Sequence, residues 1–234
     1  MRYEFILLDA DNTLLDFDAC ERHAFFCAMQ NLGIVPTDTL YDSYSAINQA
    51  CWKELEQGRI AKNELKLLRF KRLFDHVCLP DMAEKANEYY ISHLSQTAIL
   101  IEGALDFVQK LSKEAKLYII TNGFYEVQTG RFADCPLIPY FKEVFISEKV
   151  GYAKPDKRFF EIAAAQIPDF HKEKALVIGD SLTSDIQGAN NAGMDCIWYN
   201  PKAAPAPAHL SIDYIASNYD QILHYLKHGD LHEN

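Results

Sequence analysis

The sequence has no surplus of positive charge. Its 234 residues include 23 Lys and Arg against 33 Asp and Glu, so the formal net charge is −10 at pH 7. Proteins that bind nucleic-acid polymers hold the phosphate backbone with an excess of basic side chains. We therefore expect no nucleic-acid polymer as a partner, whereas a small anionic substrate needs only a local positive site.

Long hydrophobic runs are also missing. A helix that spans a membrane needs roughly 20 consecutive apolar residues, and no stretch of this chain approaches that length. The first apolar run, residues 3–8, meets Asp9 almost at once, which is too short for a signal peptide. We expect neither a secretory signal nor a membrane partner.

Cysteines at metal-ligand spacing are absent too. The six cysteines are scattered without a C-x-x-C pair, which favours free thiols in a reducing compartment, and we expect a cytoplasmic protein. His224, His228 and His232 follow one another at four-residue spacing, but no acidic or thiol group completes a metal site there. The cysteines are Cys20, Cys27, Cys51, Cys78, Cys135 and Cys196.

What the sequence does contain is two kinds of periodicity. From about Asp18 to Gln96 the apolar residues recur at helical spacing with almost no strand signal. Beyond residue 98, short apolar runs alternate with helical patterns, which is typical of a parallel sheet. The sequence therefore predicts an α/β fold with a doubly wound parallel sheet, formed by residues 1–15 and 98–234. Residues 16–97 are predicted to form an inserted helical bundle.

Polar segments follow four of the predicted strands. Because the carboxyl ends of parallel strands are where such sheets bind ligands, we expect these segments to lie together. Carboxylates that end a buried strand are costly to desolvate and normally serve a metal or a reaction. Taken singly, each segment also fits a plain turn, a helix cap or a surface lysine, and only their joint occurrence favours a functional site. The segments are Asp9-Ala10-Asp11, Thr121-Asn122-Gly123, Lys154-Pro155-Asp156 and Gly179-Asp180-Ser181 with Asp185.

This set of side chains indicates a site for a cation and an anion. Four carboxylates around one point repel one another, and a hard divalent cation with oxygen ligands relieves that repulsion. Mg²⁺ suits a site that also holds a phosphate. The Thr-Asn-Gly turn before a helix is a natural anion site, and Lys154 supplies one ammonium.

In these motifs the sequence resembles the haloacid-dehalogenase (HAD) superfamily. The four motifs are residues 9–13, Thr121, Lys154, and Asp180 with Asp185. The resemblance covers essentially the whole chain and implies a HAD-like Rossmannoid core with a helical-bundle cap. Residues 9–11, 121–124 and 146–155 are further similar to the YjjG-type pyrimidine 5′-nucleotidases.

The resemblance implies a Mg²⁺-dependent phosphatase that acts through an aspartyl-phosphate intermediate. Asp9 is expected to be the nucleophile and Asp11 the general acid and base. The implied substrate is a small phosphomonoester, first of all a nucleoside 5′-monophosphate with a pyrimidine base. The implied metal ligands are Asp9, the Asp11 backbone carbonyl and Asp180, with Asp185 orienting the metal's water shell. The implied phosphate ligands are Thr121, the Asn122 amide and Lys154.

Several alternatives stay open at this point. A sugar-phosphate phosphatase or a phosphomutase of the same superfamily shares all four motifs, and a phosphate- or metal-binding regulator needs no turnover. Cleavage of carbon–halogen bonds is disfavoured by Asp11 and Asp180, which that chemistry does not need. Cleavage of phosphonates requires a Schiff-base lysine from the cap. The cap lysines considered for that role are Lys53, Lys62 and Lys66.

The sequence says less about substrate choice. Phe17, Trp52 and Tyr125 are candidates for stacking on a base or sugar, and Arg59 for contacting a polar edge, although core packing is the favoured explanation for each aromatic residue. The oligomeric state, monomer or homodimer, stays open.

Overall fold

A single parallel sheet organises the larger part of the chain. The structure is a computed structural model that describes residues 2–229. Within these residues the strands are β1 (Phe5–Leu8), β2 (Lys116–Thr121), β3 (Phe141–Ile146), β4 (Ala175–Gly179), β5 (Asp195–Tyr199) and β6 (Tyr214–Ala216). Their order in the sheet is β3-β2-β1-β4-β5-β6, and every pair of neighbours runs parallel. The predicted fold class is confirmed.

The central strands form because both of their faces are buried. All residues of β1 and β4 are buried, as the continuous apolar runs of a covered parallel sheet require. Side chains alternate between two apolar layers: Ile6 and Leu8 belong to one, Phe5 and Leu7 to the other. Leu8 pairs with a residue of β2 on one side and of β4 on the other, so these three strands end side by side.

The chain divides into two compact units. One holds the residues up to Phe17 together with those from Ala98 onward, including the sheet, and the other holds Asp18–Thr97. The helices of the second unit are α1 (Phe17–Asn31), α2 (Asp38–Glu56), α3 (Lys62–His76) and α4 (Ala83–Ser95). The first residue of α1, Phe17, still belongs to the first unit. The role of this helical unit as a cap stays a prediction.

An aromatic cluster fills the core of the helical unit. Tyr44 stacks between Phe25 and Phe70, with ring centroids 4.5 and 5.2 Å away, and Tyr90 packs against it at 5.7 Å. All four rings are fully buried. The helical spacing of apolar residues in this part of the sequence therefore reflects packing within the unit.

A buried polar network crosses the same core. The Asn48 side chain donates to Glu21 Oε1 at 2.6 Å, and the Tyr90 hydroxyl donates to the same oxygen at 3.3 Å. Arg69 donates to Asn48 Oδ1 at 3.4 Å. Burial raises the pKa of Glu21 to about 7, and the positive charge of Arg69 opposes that shift. The folded unit therefore keeps the proton of Glu21 to a higher pH than the unfolded chain does.

Helices cover both faces of the sheet in the first unit. The segment that follows β4 is predicted to be one helix over 182–191, but Leu182–Ile186 is π-helical and a short α-helix follows it. The wide turn forms because Ile186 N donates five residues back to Ser181 O, and the Ser181 hydroxyl accepts from Ser184 N. The remaining helices are α5 (Ala104–Leu111), α6 (Tyr125–Ala133), α7 (Ser147–Val150), α8 (Lys157–Gln166), α9 (Gln187–Ala192) and α10 (Tyr219–His228).

Two further expectations from the sequence concern membrane-spanning helices and the C-terminal histidines. In the part of the chain that the structure describes, no helix is both long and apolar enough to cross a membrane. His224 and His228 lie on α10 with ring centroids 4.8 Å apart, and His232 lies outside the described residues.

Candidate active site

The predicted site residues of the first unit meet at one edge of the sheet. Asp9 directly follows β1, and its backbone N donates to Ile178 O of β4 at 2.9 Å. Thr121 is the last residue of β2. The strand order reverses between β1 and β4, and ligands of doubly wound sheets bind at the carboxyl ends of the strands next to such a reversal.

Lys154 is buried between two carboxylates at this edge. Its Nζ lies 2.7 Å from Asp9 Oδ1 and 2.6 Å from Asp185 Oδ1, and it donates to Ile120 O at 2.9 Å. Burial disfavours the charged ammonium, but the neighbouring charges of Asp185 and Asp9 outweigh it and raise the pKa of Lys154. Lys154 is thus a fixed positive charge inside the protein and not a surface lysine.

The side chain of Asn122 makes two hydrogen bonds to the backbone of Lys154. Its side-chain Oδ1 accepts from Lys154 N at 2.9 Å, and its Nδ2 donates to Lys154 O at 2.8 Å. The side chain of Asn122 is therefore occupied in joining the loop after β2 to the loop that carries Lys154. Its backbone amide is the group that the family resemblance implies as a phosphate ligand.

Three carboxylates approach closely beside Lys154. One ligand oxygen from each of Asp9, Asp180 and Asp185 lies within 4.8 Å of those of the other two. Burial, followed by the charge of Asp185, raises the pKa of Asp180 to about 7. Burial also raises the pKa of Asp9, with Lys154 opposing the shift and the three neighbouring carboxylates adding to it. One ammonium does not balance this negative charge, and the oxygen ligands suit a hard divalent cation.

The close approach of Asp185 to the strand end depends on Gly179. A Cβ at this glycine would lie 2.3 Å from Asp185 Cγ, so a larger residue would displace the carboxylate. Asp185 Oδ2 also accepts a hydrogen bond from Ser181 N at 3.1 Å. The π-helical turn and the absent side chain together bring Asp185 to the cluster.

The carboxylate of Asp11 lies outside this cluster of ligand oxygens. Its Oδ1 accepts from Arg131 Nη1 at 2.5 Å, and its Oδ2 accepts from Gln128 Nε2 at 2.7 Å. The Asp11 side chain is 24% exposed, whereas the Arg131 side chain is fully buried. An assignment of Asp11 to the metal thus rests on its backbone carbonyl, the ligand that the family resemblance implies.

Thr121 is joined to the same pair of side chains. Its Oγ1 accepts from Gly123 N at 3.0 Å and from Gln128 Nε2 at 2.8 Å. Gly123 is required there, because a Cβ would lie 2.3 Å from Gln128 Nε2. Both bonds use the Thr121 oxygen as acceptor, which leaves its proton to donate to an anion.

Gln128 and Arg131 are the site residues that the sequence analysis missed. They lie three residues apart on α6, on the face that also buries Val127 and Phe132. Buried polar residues at this spacing among apolar ones are the signal that was available, since such groups need partners inside the protein.

The residues considered for substrate choice lie in different environments. Phe17 is half-buried with the Arg131 guanidinium 5.8 Å from its ring centroid, and Tyr125 is 47% exposed. In the helical unit, Trp52 is half-buried and Arg59 is exposed. Lys53 is exposed and Lys62 and Lys66 are half-buried.

The fold and the site define an α/β protein of the doubly wound class with three clustered carboxylates and a buried lysine at its switch point. The model of the haloacid dehalogenase-like hydrolases matches residues 3–193. The chain therefore belongs to this family of hydrolases, which confirms the resemblance and the expectation of an enzyme.

Relatives of known name match over nearly the whole length. The chain is 42% identical over 224 residues to the pyrimidine 5′-nucleotidase PynA of Streptococcus pneumoniae, covering 95% of this chain and 94% of that protein. It is 30% identical over 226 residues to the pyrimidine 5′-nucleotidase YjjG of Escherichia coli, covering 95% and 97%. The magnesium-bound crystal structure of YfnB from Bacillus subtilis matches with a TM-score of 0.92 and 35% identity, covering 97% of this chain and 99% of that one.

Proposed function

We propose that this protein is a Mg²⁺-dependent phosphomonoesterase that acts on nucleoside 5′-monophosphates, with a preference for pyrimidine bases, through an aspartyl-phosphate intermediate. The observation that carries the proposal is Asp9, a carboxylate at the end of β1 held 2.7 Å from the buried ammonium of Lys154. The names of the relatives PynA and YjjG support the choice of substrate.

In the first half of the reaction, an Asp9 carboxylate oxygen attacks the phosphorus in line with the bond to the leaving oxygen. The new O–P bond forms as the P–O5′ bond breaks, and Asp11 donates its proton to O5′. The products of this half are the free nucleoside and an acyl phosphate on Asp9, with Asp11 left as a carboxylate.

In the second half, water attacks the phosphorus of the acyl phosphate. Asp11 now accepts a proton from the water, and the bond between phosphorus and the Asp9 oxygen breaks. Inorganic phosphate leaves, Asp9 is again a carboxylate and Asp11 is again protonated. Protons and the phosphoryl group are thus balanced over the cycle. A protein that only bound phosphate would not need an acid for the leaving group, so the Asp9 and Asp11 pair favours hydrolysis over binding alone.

Three groups of this chain would hold the phosphoryl oxygens: the Thr121 hydroxyl, the Asn122 backbone amide and the Lys154 ammonium. Lys154 is held by its bonds to Asp9, Asp185 and Ile120 O, so its positive charge is in position before the substrate binds. A fixed charge of this kind stabilises negative charge that develops in the transition state.

The donor set at the three-carboxylate cluster fits Mg²⁺. Asp9 and Asp180 would hold the ion together with the Asp11 backbone carbonyl, and Asp185 would orient its water ligands, since the carboxylate oxygens already lie within 4.8 Å of one another. When bound, such an ion offsets negative charge on the phosphoryl oxygens.

The test is phosphate release from a panel of phosphomonoesters, with Mg²⁺ and with EDTA. The panel includes UMP, dUMP, dTMP, purine monophosphates and sugar phosphates. Mg²⁺-dependent release that is fastest with the pyrimidine nucleotides supports the proposal. Preference for a sugar phosphate would keep the mechanism and reject the substrate class. Absence of release from every ester would reject the phosphatase and favour a mutase or a phosphate-binding protein.

We also propose a cytoplasmic location. All six cysteines are free thiols, four of them buried, which suits a reducing compartment.

A further inference from the structure

We infer that Gln128 and Arg131 are positioning residues that hold Asp11 for its proton transfers and join it to the phosphate ligand Thr121. This inference rests on the proposed function, because it concerns the residue proposed as general acid and base. Neither side chain is among the four family motifs described above.

The geometry that carries the inference is a continuous chain of hydrogen bonds. Each oxygen of the Asp11 carboxylate has its own donor: Arg131 Nη1 at 2.5 Å on Oδ1 and Gln128 Nε2 at 2.7 Å on Oδ2. Arg131 Nη1 also donates to Gln128 Oε1 at 3.4 Å, and Gln128 Nε2 reaches Thr121 Oγ1 at 2.8 Å. With both oxygens held, the carboxylate has one defined orientation.

Burial shows that these bonds are built into the unit. Gln128 is fully buried and Arg131 is 2% exposed, while Asp11 itself is partly open to solvent. A buried guanidinium is costly unless it is paired, and the carboxylate of Asp11 pairs it. Gly123 lacks the side chain that would collide with Gln128, so the loop after β2 leaves room for this contact.

The consequence concerns the leaving group. An alkoxide such as the 5′ oxygen of a nucleoside needs a proton as it departs, whereas a thiolate leaves without one. A variant that misplaces Asp11 therefore loses the first half of the reaction with an oxygen ester and retains more of it with a sulfur ester. General misfolding lowers both rates by the same factor.

The experiment compares kcat/KM for UMP with kcat/KM for its analogue in which sulfur replaces the bridging 5′ oxygen. Gln128→Leu and Arg131→Met remove the hydrogen bonds at similar side-chain size. We expect each to raise the sulfur-to-oxygen ratio of kcat/KM by at least about tenfold, with Asp11→Asn showing the full change. Arg131→Lys keeps one cationic donor, and its ratio is expected between those of the wild type and Arg131→Met.

Matched controls are Gln166→Leu and Arg2→Met, since Gln166 and Arg2 are exposed and bond to Ile162 O and Asp195. Both are expected to keep the wild-type ratio. Because both substrates are measured on one preparation, the ratio does not depend on how much of a variant is folded. An active wild type with unchanged ratios in Gln128→Leu, Arg131→Met and Arg131→Lys would overturn this inference alone. A wild type that hydrolyses no ester would overturn the proposed function and this inference together.

Discussion

Two carboxylates of the site share a single buried ammonium: Lys154 Nζ lies 2.7 Å from Asp9 and 2.6 Å from Asp185. Lys154 and Asp185 are each 1% exposed at their side chains, so water does not screen the contact between them. Removing one partner of a buried ion pair leaves the remaining charge desolvated, and such changes cost about 3–5 kcal/mol. The ammonium therefore matters for folding as well as for the proposed binding of phosphate.

Lys154→Met is accordingly expected to lower the free energy of unfolding by about 3–5 kcal/mol at pH 8 and by less at pH 5. Burial already raises the pKa of Asp9, and loss of the cation raises it further, so at pH 5 the carboxylate takes a proton and the penalty falls. Urea unfolding at both pH values measures the difference. Lys110→Met, which removes an exposed pair with Asp106, is the control and is expected to change little. An equal loss at pH 5 and pH 8 would contradict this charge argument.

Asp9→Asn separates the reaction from the fold. The amide keeps the size of the side chain but removes the oxygen nucleophile, so phosphate release is expected to fall to background. The fold is expected to survive, because Lys154 keeps Asp185 as a partner and the variant removes a carboxylate whose charge burial disfavours. Circular dichroism and thermal unfolding without Mg²⁺ check the fold, with Asp106→Asn as the matched surface variant. Undiminished hydrolysis by Asp9→Asn would rule out the covalent mechanism.

At the scale of helices, the buried Glu21 makes the helical unit sensitive to pH. Its carboxyl on α1 has a pKa raised from 4.5 to about 7, chiefly by burial. The unfolded chain loses this proton at lower pH than the folded unit does. The group's contribution to the free energy of unfolding therefore falls by about 3 kcal/mol between about pH 4.5 and pH 7 and is level above that.

Glu21→Gln is expected to remove this pH dependence, since the amide has no charge to desolvate and its oxygen can still accept from Asn48. Each unit contains one of the two tryptophans, Trp52 in α2 and Trp198 in β5, so Trp52 in a Trp198→Phe background reports on the helical unit. Denaturant unfolding followed by its fluorescence at pH 5 and pH 8 compares the two proteins. A slope with pH that is the same in both would show that Glu21 titrates normally.

The elements could be predicted to the extent that they depend on local sequence. The strands β1, β2, β4 and β5 follow from apolar runs, because a strand buried on both faces needs an unbroken apolar stretch. The order of the strands does not follow, since it rests on pairs such as Leu8 with Ile119 and Ile178, far apart in the chain. The π-helical turn before α9 also escapes prediction, because Ser181 and Asp185 set it through their own hydrogen bonds.

The residues of the site likewise differ in whether they could be predicted from the sequence. Asp9, Thr121, Lys154 and Asp180 stand at strand ends, so the rule for parallel sheets places them together from sequence alone. Gln128 and Arg131 stand inside a helix, and their partner Asp11 lies 117 and 120 residues earlier in the chain. A helical pattern reports which face is buried but not which distant carboxylate that face meets.

At the scale of the whole molecule, three of the acidic residues of a negatively charged chain meet at the proposed cation site. The chain carries a net charge of −10, and Asp9, Asp180 and Asp185 all belong to the unit that contains the sheet. Burial and the nearby Asp185 raise the pKa of Asp180 to about 7, so without a cation this carboxyl keeps its proton well above pH 4. A raised carboxyl pKa makes the metal-free protein lose stability as the pH rises through the range from about 4 to 7.

Mg²⁺ is expected to oppose that loss, because it binds the ionised carboxylates and only the folded unit presents them together. We therefore expect about 10 mM MgCl₂ to increase the unfolding temperature more at pH 8 than at pH 5.5. Trp198 fluorescence in a Trp52→Phe background follows the unit concerned, since its indole donates to Asp180 O at 2.8 Å. Asp180→Asn is expected to abolish most of the increase at both pH values, and Asp220→Asn, an exposed change on α10, to leave it intact. A shift of equal size at both pH values, or one that survives Asp180→Asn, would place the bound cation elsewhere on the molecule.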